Sequence, residues 1–194
     1  LGTYFLPGFM SRFLQRHPKI ELALWNGNSR DVERAVVDRV VDVGLVVNPS
    51  KLDDSIVVPL FEDRVELLVA ASLRREARKK PLSLLATHPL FVVPALRQSQ
   101  YLLGALGQAG HAVRQVHCSS MELVKSLVLD GAGAGVLPWR VATHGVAKGR
   151  LVPLDARLPH FEDAIVLMRR YDMHLTQAAR MLVDGLRDHG RAIG

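Results

Sequence analysis

Apolar residues recur along the chain at two spacings, and the switches between them mark out its elements. Phe9, Met10, Phe13 and Leu14 fall on one face of a helix that Pro7 suits at its first turn. His17-Pro18 ends it, because the residue before a proline is pushed out of the helical region. "IELALW" (20–25) alternates as a strand, and "RDVERAVVDRVV" (30–41) returns to helical spacing with Val32, Ala35, Val36 and Val40 as its inner stripe. "DVGLVV" (42–47) has almost no polar face, the mark of a strand buried on both sides. This alternation of helix and strand with short connections predicts a parallel, wound sheet, which "SIVVPLF" (55–61) and "RVELLVAAS" (64–72) extend.

A second series follows. Strand "LFVV" (90–93), a helix from about Ser99 to Ala109, strand "AVRQVHC" (112–118), helix "SMELVKSLVLDG" (120–131) and strand "AGVLP" (134–138) succeed one another. "RLVPL" (150–154) and "AIVLMRR" (164–170) add strands, and "HLTQAARMLVDGLRDHG" (174–190) closes the chain as an amphipathic helix. Two α/β runs without a flexible linker, a repeat or a low-complexity tract predict two lobes joined by strands.

Composition narrows the class. The 194 residues are 48% hydrophobic, ample for a core in one domain or two small lobes. Charged residues interrupt every apolar segment before it reaches membrane-spanning length, so no membrane partner is expected. "LGTYFLPGFM" lacks the charged and apolar regions of a signal peptide. The lone Cys118 excludes an intrachain disulfide and a cysteine-based zinc cluster, and fits a reducing cytoplasm. The net charge of +6 raises the odds of an anionic partner, but ordinary solvated basic faces explain it more simply. Its densest run, "LRREARKK" (73–80), reads as an exposed loop or short helix, without the interleaved aromatics or recognition helix of a nucleic-acid footprint.

Catalytic and metal chemistry find no support. The eight histidines never pair at helical or zinc spacing, so neither a metal nor another cofactor is expected. "DGAGAGVLP" (130–138) is glycine-rich, but its glycines follow a helix and lead into a strand, the reverse of a dinucleotide fingerprint. They fit a glycine helix cap followed by close helix–strand packing. No serine sits in a nucleophile elbow, and Cys118 lacks a motif that would activate it. No catalytic residue is assigned.

Helix starts remain. Ser29 opens one helix, Ser99 another, and Ser119 with Glu122 forms a capping box for a third. Each follows a strand, so each lies at the carboxyl edge of a parallel sheet, where open α/β folds bind ligands. Free N–H groups and the helix dipole make such ends anion sites.

On these blocks the sequence resembles the effector-binding domain of LysR-type transcriptional regulators, over nearly the whole chain. "YFLPGFMSRFLQRHPKIELALWNGNSRDVERAVVDRVVDVGLV" is similar to the family's opening block, "EDRVELLVAAS" to its crossover into a second lobe, and "SSMELVKSLVLDGAGAGVLPWRVA" to its late block. The resemblance implies an α/β, two-lobed type 2 periplasmic-binding-protein-like fold with the ligand cleft between lobes. The first lobe would comprise 1–70 plus 164–194 and the second 71–163. The family's N-terminal winged helix-turn-helix, and a strand and Ser/Thr loop before the position of Leu1, are not in this sequence. The glycine that usually ends the first-lobe helix is replaced by Arg39, so that helix is expected to terminate differently.

The resemblance places the cleft-lining loop of the first lobe at Gly27, Asn28 and Ser29, and matching second-lobe segments at Pro94, Ala95, Arg97, Ser99 and Ser119. Gly27 would admit a ligand to the backbone, Asn28 would offer donor and acceptor, Ser29 would cap, and Arg97 would supply charge to a small anionic effector. The family further implies a homodimer with Phe9, Met10 and Phe13 of one copy against Val124, Leu127 and Val128 of the other. It also implies a tetramer at full length, and contact with promoter DNA only through the N-terminal domain. A free solute-binding protein of the same fold is the alternative.

Overall fold

Phe9 and Phe13, four residues apart, anchor the first of two units into which the chain divides. A computed structural model describes residues 1–50 and 53–193. Unit one is Leu1–Asp63 with Asp163–Gly194, and unit two is Arg64–Glu162. The chain passes between them inside one long strand and again near the start of another.

In unit one, α1 (Leu6–Arg16) carries its proline in the first turn and stops at His17, whose N–H donates to the Phe13 carbonyl. Phe9 and Phe13 turn inward with Phe5, Leu60, Ile165, Leu167 and Leu186. The C-terminal helix α8 (Gln177–Arg191) comes so close that a Cβ on Gly185 would lie 2.9 Å from the Phe9 ring. Helix α2 (Ser29–Val37) lies on strand β1 (Gly44–Val47), where a Cβ on Gly44 would meet Val32 at 2.6 Å. The strand order is β1-β7-β2, with β2 at Ser55–Ala70 and β7 at Phe161–Arg170. β1 and β7 are antiparallel, Gly44 opposite Met168 and Val47 opposite Ile165.

Three expectations change here. Residues 20–25 form no strand: no strand among the described residues pairs with them, and an extended segment without a ladder does not stabilise itself. Their alternation survives only in that Ile20 and Leu22 rest on the core while Leu24 and Trp25 are exposed. Second, α2 stops at Val37, so Val40 lies beyond the helix, 69% exposed rather than on its inner stripe. The stop falls at Arg39, which takes the left-handed conformation (φ 60°) that glycine usually supplies. Third, segments 55–61 and 64–72 are not two strands but one, β2, running through both units.

Unit two is built on a mixed rather than wholly parallel sheet. β3 (Leu90–Val92) is parallel to β4 (Gln115–His117) on one side and to β5 (Ala134–Pro138) on the other. β2 runs antiparallel to β5 and to β6 (Leu151–Pro153). Helices α3 (Arg74–Lys79), α4 (Pro81–Thr87), α5 (Arg97–Gln108), α6 (Met121–Leu129) and α7 (Trp139–Ala147) connect these strands. α7 had no expectation from the sequence. Leu67, Val69, Leu84, Leu90, Leu102 and Leu106 fill the core.

The glycines of "DGAGAG" have the structural roles their order predicts. Gly131 (φ 82°) ends α6. A Cβ on Gly133 would lie 2.3 Å from the Pro89 carbonyl oxygen, and one on Gly135 would strike Val124 and Val128 at 2.7 and 2.6 Å. The glycine spacing lets α6 settle onto β5.

Candidate functional site

In unit two the carboxyl edge of the parallel strands collects three helix starts. β3 and β4 are adjacent with Val92 opposite His117, and the Cys118 N–H donates to the Val92 carbonyl at 2.8 Å. The connections leaving them, 93–96 and 118–120, therefore emerge side by side. They lead into α5 and α6, while β5 leads directly into α7. Backbone N–H groups of each first turn lack helical partners, so this edge is favourable to negative charge.

Pro94 and Ala95 lie on the first connection and Arg97 directly follows it, all exposed. The Pro94 carbonyl accepts Gln100 Nε2 at 3.0 Å, which fixes the loop against α5. Arg97 is the first residue of α5 and has no ion pair among the described residues. Ser99 does not open this helix: α5 begins two residues earlier, Leu96 precedes it without a side-chain cap, and Ser99 is buried inside the first turn beside Gln98.

The cap of α6 also moves by one residue, and the expected capping box does not form, because Leu123 rather than Glu122 stands three residues after the cap. Ser120, not Ser119, precedes α6 in extended conformation, and its Oγ accepts the Leu123 N–H at 3.2 Å. Glu122 pairs forward with Lys125 at 2.8 Å. Ser119 is thus exposed and released from capping. Cys118 is buried, and burial pushes its thiol pKa up, the opposite of an activated nucleophile.

In unit one the loop before α2 is occupied by its own contacts. Asn28, not Ser29, is the cap: its Oδ1 accepts the Asp31 N–H at 3.0 Å and its Nδ2 donates to the Asp31 carboxylate. Ser29 Oγ accepts the Val47 N–H at 3.2 Å, tying the helix start to β1. Gly27 serves Trp25, since a Cβ there would come within 2.6 Å of the indole. Asp31 already complements the positive end of the helix dipole.

Sequence reasoning missed a cluster at the same edge of unit two. Glu66, opposite Leu137 on β5, accepts Trp139 Nε1 at 2.8 Å and pairs with Arg64 at 2.8 Å. Glu66 is buried although charged, and its guanidinium and indole partners compensate that burial. Strand alternation puts Arg64 and Glu66 on one face, but only the β2–β5 register brings Trp139 to them.

The proposed interface residues divide by burial. Phe9 and Phe13 lie in the core of unit one, and Val124 and Val128 against Gly135 in unit two. Met10 and Leu127 remain half-buried. No helix among the described residues is long and apolar enough to cross a membrane. No group of three or more His, Cys, Asp or Glu among them could hold a metal ion.

Comparison with known proteins bears on the family and the fold. The family model described as the LysR substrate binding domain matches residues 1–191. The HTH-type transcriptional regulator YeiE of Escherichia coli K12 is 28% identical over 190 residues, covering 95% of the chain and 64% of the relative. The HTH-type transcriptional regulator CbbR of Xanthobacter flavus is 27% identical over 97% of the chain and 58% of its own length. The chain thus spans a little under two thirds of these curated relatives. Among solved structures, the effector domain of AmpR of Pseudomonas aeruginosa superposes with TM-score 0.77 at 16% identity, over 99% of this chain and 91% of that one. The regulatory domain of CcmR of Synechocystis PCC6803, in complex with 2-PG, superposes with TM-score 0.75 at 19% identity, over 96% and 91%. At such identities the likeness shows the fold, the two-lobed, periplasmic-binding-protein-like α/β architecture.

Proposed function

We propose, from the premise that the chain belongs to the LysR substrate-binding-domain family, that it is the ligand-sensing part of a cytoplasmic transcriptional regulator. It takes a small anionic effector and transmits binding to promoter-bound segments through rearrangement of an oligomer. The observation that carries the anionic reading is Arg97: a guanidinium without an ion pair among the described residues, at the first turn of α5 and next to the start of α6. Fixed N–H donors with one free guanidinium suit a carboxylate or phosphate. CcmR was solved with 2-PG, which supports the effector reading for this fold.

Pro94, Ala95, Arg97, Ser99 and Ser119 of unit two and Gly27, Asn28 and Ser29 of unit one are the proposed contacts. They differ in what they offer. Among the described residues Arg97 and Ser119 have side chains free for a ligand; Asn28 and Ser29 are held by Asp31 and Val47 and serve by placing the loop. Buried Ser99 acts on the shape of the α5 turn.

The test is calorimetry with a panel of anionic metabolites on wild type, Arg97→Gln and Ser119→Ala. Arg97→Gln should weaken a binding anion about tenfold or more, since a charge-assisted hydrogen bond is lost. Ser119→Ala should reduce affinity without lowering stability. A ligand that binds wild type and both variants equally well would place the effector elsewhere.

We further propose homodimerisation through α1 and α6, with tetramers in the full-length protein. Met10 and Leu127 supply the accessible apolar contact, while Phe9, Phe13, Val124 and Val128 hold the two helices rigid from beneath. Sedimentation showing only monomer at roughly tens of micromolar would count against this interface.

A further inference from the structure

The most basic run of the sequence stands outside the proposed effector contacts. Residues 74–80 carry Arg74, Arg75, Arg78, Lys79 and Lys80 against Glu76 alone. In unit two this run forms α3 after the short 3-10 turn Ala71–Leu73, and the two border an open depression of about 660 Å³ lined by Ala71, Ser72, Arg74, Arg75, Arg78 and Lys79.

The lining contains four cations and no acid. None of the four has an ion pair or side-chain hydrogen bond among the described residues, although α3 supplies a carboxylate of its own. That carboxylate is engaged elsewhere: Glu76 Oε1 accepts Thr87 Oγ1 at 3.4 Å and lies 3.8 Å from His88 Nδ1 of the α4 end. Helical spacing puts Arg74 with Arg78, and Arg75 with Lys79, one turn apart. Only Ala77 of α3 is buried, which anchors the turn while the cations stay accessible. The Ala71 N–H donates to the Arg150 carbonyl at 2.8 Å and ties the near rim to the sheet.

Four like charges held this close repel one another, and a ligand of opposite charge relieves that repulsion. Three guanidinium forks and an ammonium match phosphate oxygens. Concavity of this size suits a compact ligand. A base-stacking partner is disfavoured because no aromatic side chain lines the surface. We propose that this surface is a second anion site, taking a compact ligand with two or more linked phosphate groups, separate from the effector contacts at Arg97 and Ser119.

Inorganic tripolyphosphate is the probe, titrated calorimetrically into the chain at low ionic strength. Wild type should bind it more tightly than pyrophosphate, and pyrophosphate more tightly than monophosphate. The double variants Arg74→Ala/Arg78→Ala and Arg75→Ala/Lys79→Ala should each lose about tenfold or more in affinity. All four positions are exposed, so circular dichroism should match wild type. Equal affinity in wild type and both double variants, or no binding by wild type, would overturn the proposal. Loss of binding in Arg97→Gln with both double variants unaffected would move the anion to α5, and would overturn this site while leaving the effector reading intact. A duplex DNA that binds through these cations and is not displaced by tripolyphosphate would identify a nucleic-acid surface instead.

Discussion

Replacing Arg39 by glycine should make unit one more stable, although it deletes an ion pair. Helices α2, α5, α6 and α7 all end in one hydrogen-bond pattern. In α6, Gly131 N–H donates to Val128 O and Ala132 N–H to Leu127 O; in α2, Arg39 N–H donates to Val36 O and Val40 N–H to Ala35 O. The left-handed residue is Gly110, Gly131 and Gly149 in three cases, at φ 79°, 82° and 64°, and Arg39 at φ 60° in the fourth. A side chain in that conformation costs about 1–2 kcal/mol through contact of Cβ with the following carbonyl. Glycine gives part of this back through greater freedom in the unfolded chain, leaving a net gain of about 0.5–1 kcal/mol. The ion pair does not reverse the sign: Arg39 is 70% exposed, and Asp172 keeps its 2.7 Å contact with Arg170.

Thermal and urea unfolding of Arg39→Gly, Arg39→Ala and Gly110→Ala separate these contributions. Arg39→Gly should raise the midpoint by about 1–4 °C. Arg39→Ala keeps the strained backbone and removes the ion pair, so it should stay close to wild type. Gly110→Ala is the reciprocal case: nothing lies within 4 Å of the added Cβ, so its cost of about 1 kcal/mol comes from φ alone. Destabilisation by Arg39→Gly matching that of Arg39→Ala would show that the ion pair outweighs the backbone, and would refute this reasoning.

Further predictions rest on single contacts. Gly133→Ala should prevent unit two from folding or cost more than about 3 kcal/mol, because its Cβ meets a backbone carbonyl at 2.3 Å rather than a movable side chain; chemical denaturation reads this. Ser120→Ala should lower stability by about 1 kcal/mol and Ser119→Ala by close to nothing, measured in urea. His189 lies beside the Phe5 and Phe9 rings at 5.0 and 5.8 Å, and burial, aided by the charge of Arg12, holds its pKa below the ordinary 6.5. Below pH 6.5 the unfolded chain then binds more protons at this site than the folded one, so stability present above that pH declines as pH falls; His189→Gln should flatten that slope.

How far the sequence carries depends on which physical quantity decides each feature. Hydrophobic period located α1, α2, α6 and α8 because burial of a stripe depends on many residues at once. Cap positions slipped by one at Asn28-Ser29 and Ser119-Ser120, where two competent capping residues adjoin. There the choice lies in one residue's backbone angles, extended at Asn28 (φ −71°, ψ 167°) and Ser120 (φ −151°, ψ 155°), and at 119–120 the capping-box pattern, which only Ser119 with Glu122 satisfies, points to the wrong member. The strand expected at 20–25 failed for a different reason. Its alternation is genuine, but a strand also needs a neighbour, and periodicity within a segment carries no information about one.

The same distinction separates the two anion readings. A helix start is legible from residue types, yet its readiness for a ligand depends on whether local side chains have already satisfied it, as Asp31 and Val47 do for Asn28 and Ser29. Arg97 and the α3 cations were visible as charges in the sequence, and only the structure distinguishes them from paired surface charges such as Arg157 with Asp155 at 2.7 Å or Arg170 with Asp172. An unpaired guanidinium keeps all its donors for an incoming anion, whereas Arg157 must first break a contact that already holds the Asp155 carboxyl down at about 2. Arg157→Ala should therefore leave anion binding unchanged where Arg97→Gln and the α3 double variants reduce it. Equal losses in all of them would mean that net charge alone, rather than the pairing state of each arginine, governs anion binding by this domain.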